Sequence, residues 1–156
     1  MSVYPKELVD RFMRTPEQRL DRMLSAFEAA QDTDASTPGR NLRALLDASP
    51  ELKDRYLESI AQGALDGFEP LPRDANASGE YSPTARTIRL PLEKLDAIGS
   101  DVHLTDTLVF TMGHEIEHAL FQATEEKALA TFRTRVADIA DSAGPHDYTA
   151  ALDALL

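Results

Sequence analysis

The chain has 156 residues, 42% of them hydrophobic and 28% charged, which fits one globular domain with a real core. It holds no cysteine, so disulfides, thiolate metal sites and a cysteine nucleophile are excluded. The net charge of −11, from 27 acidic against 16 basic side chains, argues against nucleic acid or an anionic membrane as partner, since both need clustered lysine and arginine.

The start, "MSVYPKELVDRFMRTPEQ", is polar and broken by prolines, unlike a secretory signal. No apolar stretch approaches the ~20 residues that cross a bilayer. The chain is therefore expected to be soluble and made in the cytoplasm.

Thr15-Pro16-Glu17-Gln18 reads as a capping box with proline at the first helical position, followed by Leu20, Met23, Leu24 and Phe27 at helical spacing. "DTDASTPGR" (residues 32–40) reads as a loop, after which Leu42, Leu45 and Leu46 mark a short helix. Ser49-Pro50 opens another, with Leu52, Tyr56, Leu57 and Ile60 on one face. Residues 1–65 are thus expected to form an N-terminal helical segment that serves as scaffold.

Between residues 63 and 79 the periodicity disappears into a stretch rich in Gly, Pro and Asp, expected to be a loop. "EYSPTARTIRLPL" then carries the β signal. Tyr81 precedes a Ser82-Pro83 turn, and residues 84–90 alternate, with Ile88 and Leu90 on one face and Thr87 and Arg89 on the other. One hairpin or a small sheet is expected.

The last third reads as helical. Thr105 is expected to cap a helix over residues 106–122, and Thr124 a second over 124–141, ended by Gly144-Pro145. A final helix is expected from His146 or Asp147 onward, still in progress at Leu156. The fold class is α+β: a mainly helical chain with a small hairpin or sheet ahead of the helix at 106–122. Residues 66–156 are expected to form the functional core, making one compact domain with residues 1–65.

"TMGHEIEHAL" (residues 111–120) carries the chemistry. On a helix, His114 and His118 lie ~40° apart on one face, where two imidazoles can converge on one Zn²⁺ with bonds of ~2.0–2.1 Å. Glu115 stands beside such a metal and can take a proton from an attacking water and pass it to a leaving amine. Val109, Met112, Ile116, Ala119 and Leu120 fall on the opposite side, so one face packs while the histidines look away. Phe110 and Phe121 flank the histidines. Glu117 points ~60–80° away from them and is expected to be a surface charge, a mutational control for Glu115.

A solvated histidine pair on a charged helix is the competing account. The three fixed residues fall in register by chance in about one chain in a hundred of this composition. His103 and His146 read as surface or capping residues. Arg86 and Arg89 could meet a substrate carboxylate, although solvated strand charges are commoner.

"GHEIEHAL", with "ARTIRLPL" ahead of it, resembles the zincin-like metallopeptidase domain (HExxH, gluzincin-type) found in bacterial secretion-system effectors and toxins. A weaker likeness extends through "VADIADSAGPHDYTAAL", and residues 1–65 carry none. The resemblance implies a zincin-like fold, zinc held by His114 and His118, and Glu115 as general base. It implies a peptide or protein substrate added as a strand to an edge strand, here "TIRLPL". It also implies delivery by a specialised secretion system, with a further domain of the same chain or a cognate inhibitor as partner.

Catalytic zinc usually takes a third protein ligand. The metzincin pattern would need Gly at 121 and His at 124, where the chain has Phe121 and Thr124. Glu125 lies ~10 Å of helical rise beyond His118, within reach only if the helix breaks at Ala123-Thr124, and Glu126 needs the same break. Asp138 and Asp141 lie ~20 Å along the next helix and overshoot the metal. The expected third ligand is therefore Glu125, Glu126 or a residue beyond Leu156, the last making the chain a fragment of a longer effector. The alternative function is a catalytically inactive zincin-like binding or adaptor module. A purely helical interaction protein with incidental histidines would show no strand pairing at residues 84–90.

Overall fold

Proline opens each of the first three helices in the computed structural model, which describes residues 14–75 and 77–143: α1 (Pro16–Gln31), α2 (Pro38–Ala48) and α3 (Pro50–Ala61). Proline suits a first helical position because its missing N–H has no partner there and its φ is already helical. The capping box forms as read: Thr15 Oγ1 accepts from Gln18 N at 3.2 Å, and Gln18 Oε1 accepts from Thr15 N at 3.0 Å.

Leu20, Leu24 and Phe27 of α1 are buried, as are Leu42, Leu45 and Leu46 of α2 and Leu52, Tyr56 and Ile60 of α3. Met23 and Leu57, expected on the same faces, are half-buried.

The loop between α1 and α2 is organised by Asp32, whose carboxylate accepts from Gly39 N at 2.6 Å and Arg40 N at 3.0 Å and so caps the first turn of α2. Glycine is required at position 39. A Cβ there would lie 2.7 Å from the Glu28 Cα, inside any tolerable contact, so the absent side chain lets α2 close onto α1. Arg43 then ties the two helices, reaching Glu28 at 2.6 Å and Asp21 at 2.5 Å.

The stretch expected to be a loop contributes a strand. β1 (Gly67–Pro70), β2 (Glu80–Ser82) and β3 (Thr87–Leu90) form a sheet in the order β1-β3-β2, with β1 parallel to β3 and β2 antiparallel to it. The expected hairpin is the β2–β3 pair, but residues 84–86 belong to its turn rather than to the strand, and Arg86 sits there at φ 56°. "TIRL" is thus the central strand and not an edge, which corrects the expectation of a substrate edge there. A strand paired on both sides has no row of free backbone groups to offer.

Arg89 sits opposite Glu69 on β1 and Glu80 on β2 and bonds both, at 3.0 and 2.6 Å, so this cation is engaged across the sheet. Phe68 of β1 packs edge-on to Phe27 (6.3 Å between centroids) and stacks on Tyr56 (5.9 Å), joining strand and helices in one core.

After β3 come the short α4 (Leu92–Ala97) and the 42-residue α5 (Val102–Ala143). Two helices were expected where α5 is one. Its start is capped by Asp101, whose Oδ1 accepts from His103 N (3.0 Å) and Leu104 N (3.3 Å), not by Thr105. Thr105 instead donates to the Ile98 carbonyl at 2.9 Å. Thr124 lies inside the helix. Threonine does not stop a helix when its hydroxyl donates back one turn, as Thr107, Thr131 and Thr134 do to the carbonyls of residues 103, 127 and 130. No glycine or proline stands between residues 114 and 143 to break it.

The chain divides into two compact units, residues 1–121 and 122–156. The first holds α1 to α4, the sheet and the motif-bearing part of α5. In the second, the described side chains of residues 124–135 are exposed, with Val136 and Ile139 half-buried. The Gly144-Pro145 stop and the final helix expected from His146 lie outside the described residues. Among the described residues no helix is long and apolar enough to cross a membrane. The paired strands make the chain α+β and set aside a purely helical protein.

Candidate metal centre

Leu108, Met112, Ile116, Ala119 and Leu120 are buried, recurring every three or four residues, so one face of α5 is held against the core. Val109, expected on that face, is half-buried at its border. His114 and His118 stand one turn apart on the exposed face. Their Nε2 atoms lie 3.0 Å apart, a hydrogen bond in which one ring's N–H donates to the other ring's nitrogen, with ring planes at 83°. Two imidazole nitrogens bound to one tetrahedral zinc at ~2.0–2.1 Å stand about 3.3 Å apart, so the pair is set within a few tenths of an ångström of a metal-binding bite. The donor chemistry fits zinc, which takes neutral imidazole readily.

Glu115 is half-buried at the border between this face and the core. Phe110 and Phe121 flank the histidines as expected and are 76% and 67% exposed. The Phe110 ring lies near-parallel to that of His114, with centroids 6.5 Å apart.

Two supporting contacts come from α3 and were not read from the sequence. Tyr56 is fully buried, and its hydroxyl donates to the Met112 carbonyl at 3.1 Å, two residues before His114. Burial, and then the negative charge of Glu115, push its phenol well above the ordinary tyrosine range. A tyrosine on a core face was the available signal, because a buried phenol needs an acceptor.

The second contact is Arg55, whose guanidinium meets the Glu117 carboxylate through two bonds of 2.6 and 2.7 Å and also reaches Glu58 at 2.5 Å. Glu117 is exposed, as expected of a surface charge, and its carboxylate is paired with Arg55 of α3. Its hydrogen bonds to Arg55, with the attraction of the same cation, hold its carboxyl below the ordinary value.

On the sheet side, Gly79 leads into β2 where a Cβ would meet Thr111 Cγ2 at 2.8 Å, so glycine lets the strand lie against α5 one turn before Glu115. On the α3 side, an open cleft of about 600 Å³ lies between Ser49, Pro50 and Leu52 and the α5 residues Val109 and Gly113.

His103 is exposed, as expected, at the start of α5. Among the described residues no group of three or more histidine, aspartate or glutamate side chains gathers at metal-binding distance. The helix runs on through Ala123 and Thr124, and the break on which Glu125 and Glu126 depended does not form. No protein-family model, curated protein or solved structure matches the chain.

Proposed function

We propose that the chain is a zinc-dependent, zincin-like metallopeptidase domain of the kind carried by bacterial effectors, with His114 and His118 as metal ligands and Glu115 as general base. One observation carries the reading: two Nε2 atoms converge to 3.0 Å on the solvent face of a helix, directly beside a half-buried carboxylate. In the metal-free chain the same approach is a ring N–H to ring N hydrogen bond, which zinc would replace by holding both nitrogens.

Zinc, when bound, supplies Lewis acidity that brings the pKa of water down to about 7, within reach of a carboxylate base. Glu115 accepts the proton of the attacking water and delivers it to the departing amine. The Tyr56 hydroxyl, bonded to the Met112 carbonyl, holds the turn before His114 in place. An extended substrate has β1 or β2 as its sheet edge, and Gly79, just ahead of β2, lies against Thr111 of the motif-bearing helix.

The test is cleavage of a peptide library by the zinc-loaded chain, followed by mass spectrometry. Glu115→Gln should lower cleavage by ~10²–10⁴-fold with zinc content unchanged. Cleavage retained by Glu115→Gln, or by a chelated chain, would remove the assignment.

A binding module without turnover is the second reading. The gathering of two ligands rather than three among the described residues favours it. It predicts less than ~0.1 equivalent of zinc after purification, no rise in melting temperature on adding zinc, and no cleavage with zinc present.

A further inference from the structure

Zinc in a closed structural site takes four protein ligands. His114 and His118 supply two, already converged, on a face that is open to solvent. The side chains beside them suit a surface that is covered. Phe110 and Phe121 are 76% and 67% exposed, which is costly for two large apolar rings on one stripe of a helix. Glu117, the acidic neighbour, is neutralised by Arg55, so the stripe is less charged than the net −11 of the chain suggests.

The spacing is near-symmetric about Ile116. Phe110 lies six residues before it and Phe121 five after it, about 9 and 7.5 Å of helical rise. A twofold axis through a metal at the histidines therefore brings Phe110 of one copy against Phe121 of the other when the helices cross antiparallel. Such an interface is self-complementary, as a twofold dimer requires.

From this we propose that a second copy of this chain completes the metal site, so that His114 and His118 of two copies hold one zinc and the four phenylalanines pack around it. The inference rests on the zinc-binding half of the proposed function and not on hydrolysis. A site closed by four imidazoles has no open position for water, so the shared zinc is structural and holds a resting form.

The area available makes the metal necessary. A phenylalanine buries ~150–250 Å², so four partly exposed rings cover a few hundred Å², short of the ~1,200 Å² of a stable interface. Two chains of charge −11 also repel. Without zinc the chain should be a monomer.

Sedimentation velocity on the full chain, freed of metal by a chelator and then titrated with zinc chloride, tests this. The expected result is a shift from monomer to dimer that is complete at half an equivalent of zinc per chain and reversed by chelator. His118→Ala should stay monomeric, while His103→Ala, on the same helix, should dimerise like wild type. Replacing Phe110 and Phe121 together by serine should raise the zinc-dependent dimer dissociation constant at least tenfold. Because these side chains are exposed, the variants should keep the fold, and circular dichroism checks it. A monomer carrying one zinc per chain would overturn the shared site and leave the peptidase reading standing. Failure to bind zinc at all would overturn both. A dimer that also forms with His118→Ala, or without zinc, would overturn the metal-bridged arrangement.

Discussion

Tyr56 shows how one hydroxyl links scaffold to site. The ring fills the core between Phe68 and α5, and the O–H satisfies itself on the Met112 carbonyl, one turn from Ile116 and two residues from His114. Tyr56→Phe keeps the ring and leaves Met112 its helical partner, so it should cost only about 0.5–1.5 kcal/mol in denaturant unfolding. Tyr56→Ala empties the core and should cost ~3–5 kcal/mol.

The phenol is also a pH probe. Its folded-state pKa is raised, first by burial and then by Glu115, so its contribution is whole below the unfolded value of ~10 and fades as pH rises beyond it. Wild type should lose stability more steeply above pH ~10 than Tyr56→Phe does. Equal alkaline slopes would show that Tyr56 ionises as freely folded as unfolded.

Glu117 behaves oppositely. Its folded pKa is lowered, so the Arg55 pair stabilises above the ordinary carboxylate range and fails as pH falls through the folded value. The pair is half-exposed, at 42% and 56% of the two side chains, so Glu117→Gln should cost no more than about 1 kcal/mol. That loss should shrink on acidification, and zinc uptake should not change, which keeps Glu117→Gln usable as the control for Glu115→Gln.

At the scale of elements, the helices were legible where their ends and faces are written locally. The Thr15–Gln18 box, the prolines at 16 and 50 and the apolar faces of α1 to α3 need no distant partner to be read. The same holds for the histidine face of α5, since a period of 3.6 is a local property. β1 was missed because "GFEP" is four residues long, with Phe68 its one buried side chain, and it becomes a strand only through β3, twenty residues later. "TIRL" was read correctly as a strand but not as a central one, for the same reason: edge or centre is decided by partners.

The false break at Ala123-Thr124 came from treating threonine as a cap when it can also bond back within a helix. Two substitutions test the corrected α5. Asp101→Ala should cost about 1 kcal/mol in unfolding free energy, because the first-turn N–H groups of His103 and Leu104 lose their acceptor. Thr124→Ala should cost nothing or slightly stabilise, since alanine is the better interior residue. The reverse order of the two effects would mean that a second helix starts at Thr124.

For the whole molecule, the distribution of buried surface decides what the second unit contributes. Every buried apolar side chain among the described residues lies between Leu20 and Ala123, and none lies beyond. Past that point α5 shows Leu129 and Phe132, each 47% exposed, with half-buried Val136 and Ile139 at the same three- and four-residue spacing. Hydrophobic burial supplies most of the drive to fold, so the cooperative core belongs to residues up to 123. A chain ending at Ala123 should therefore melt cooperatively, with a midpoint within a few degrees of the full chain. In hydrogen exchange on the full chain, amides of residues 124–140 should exchange well before those of 108–120, because exposed helix opens locally at lower free energy than packed helix. Loss of the cooperative transition in the shortened chain, or equal protection of both halves of α5, would show that the second unit is part of the core and not an appendage to it.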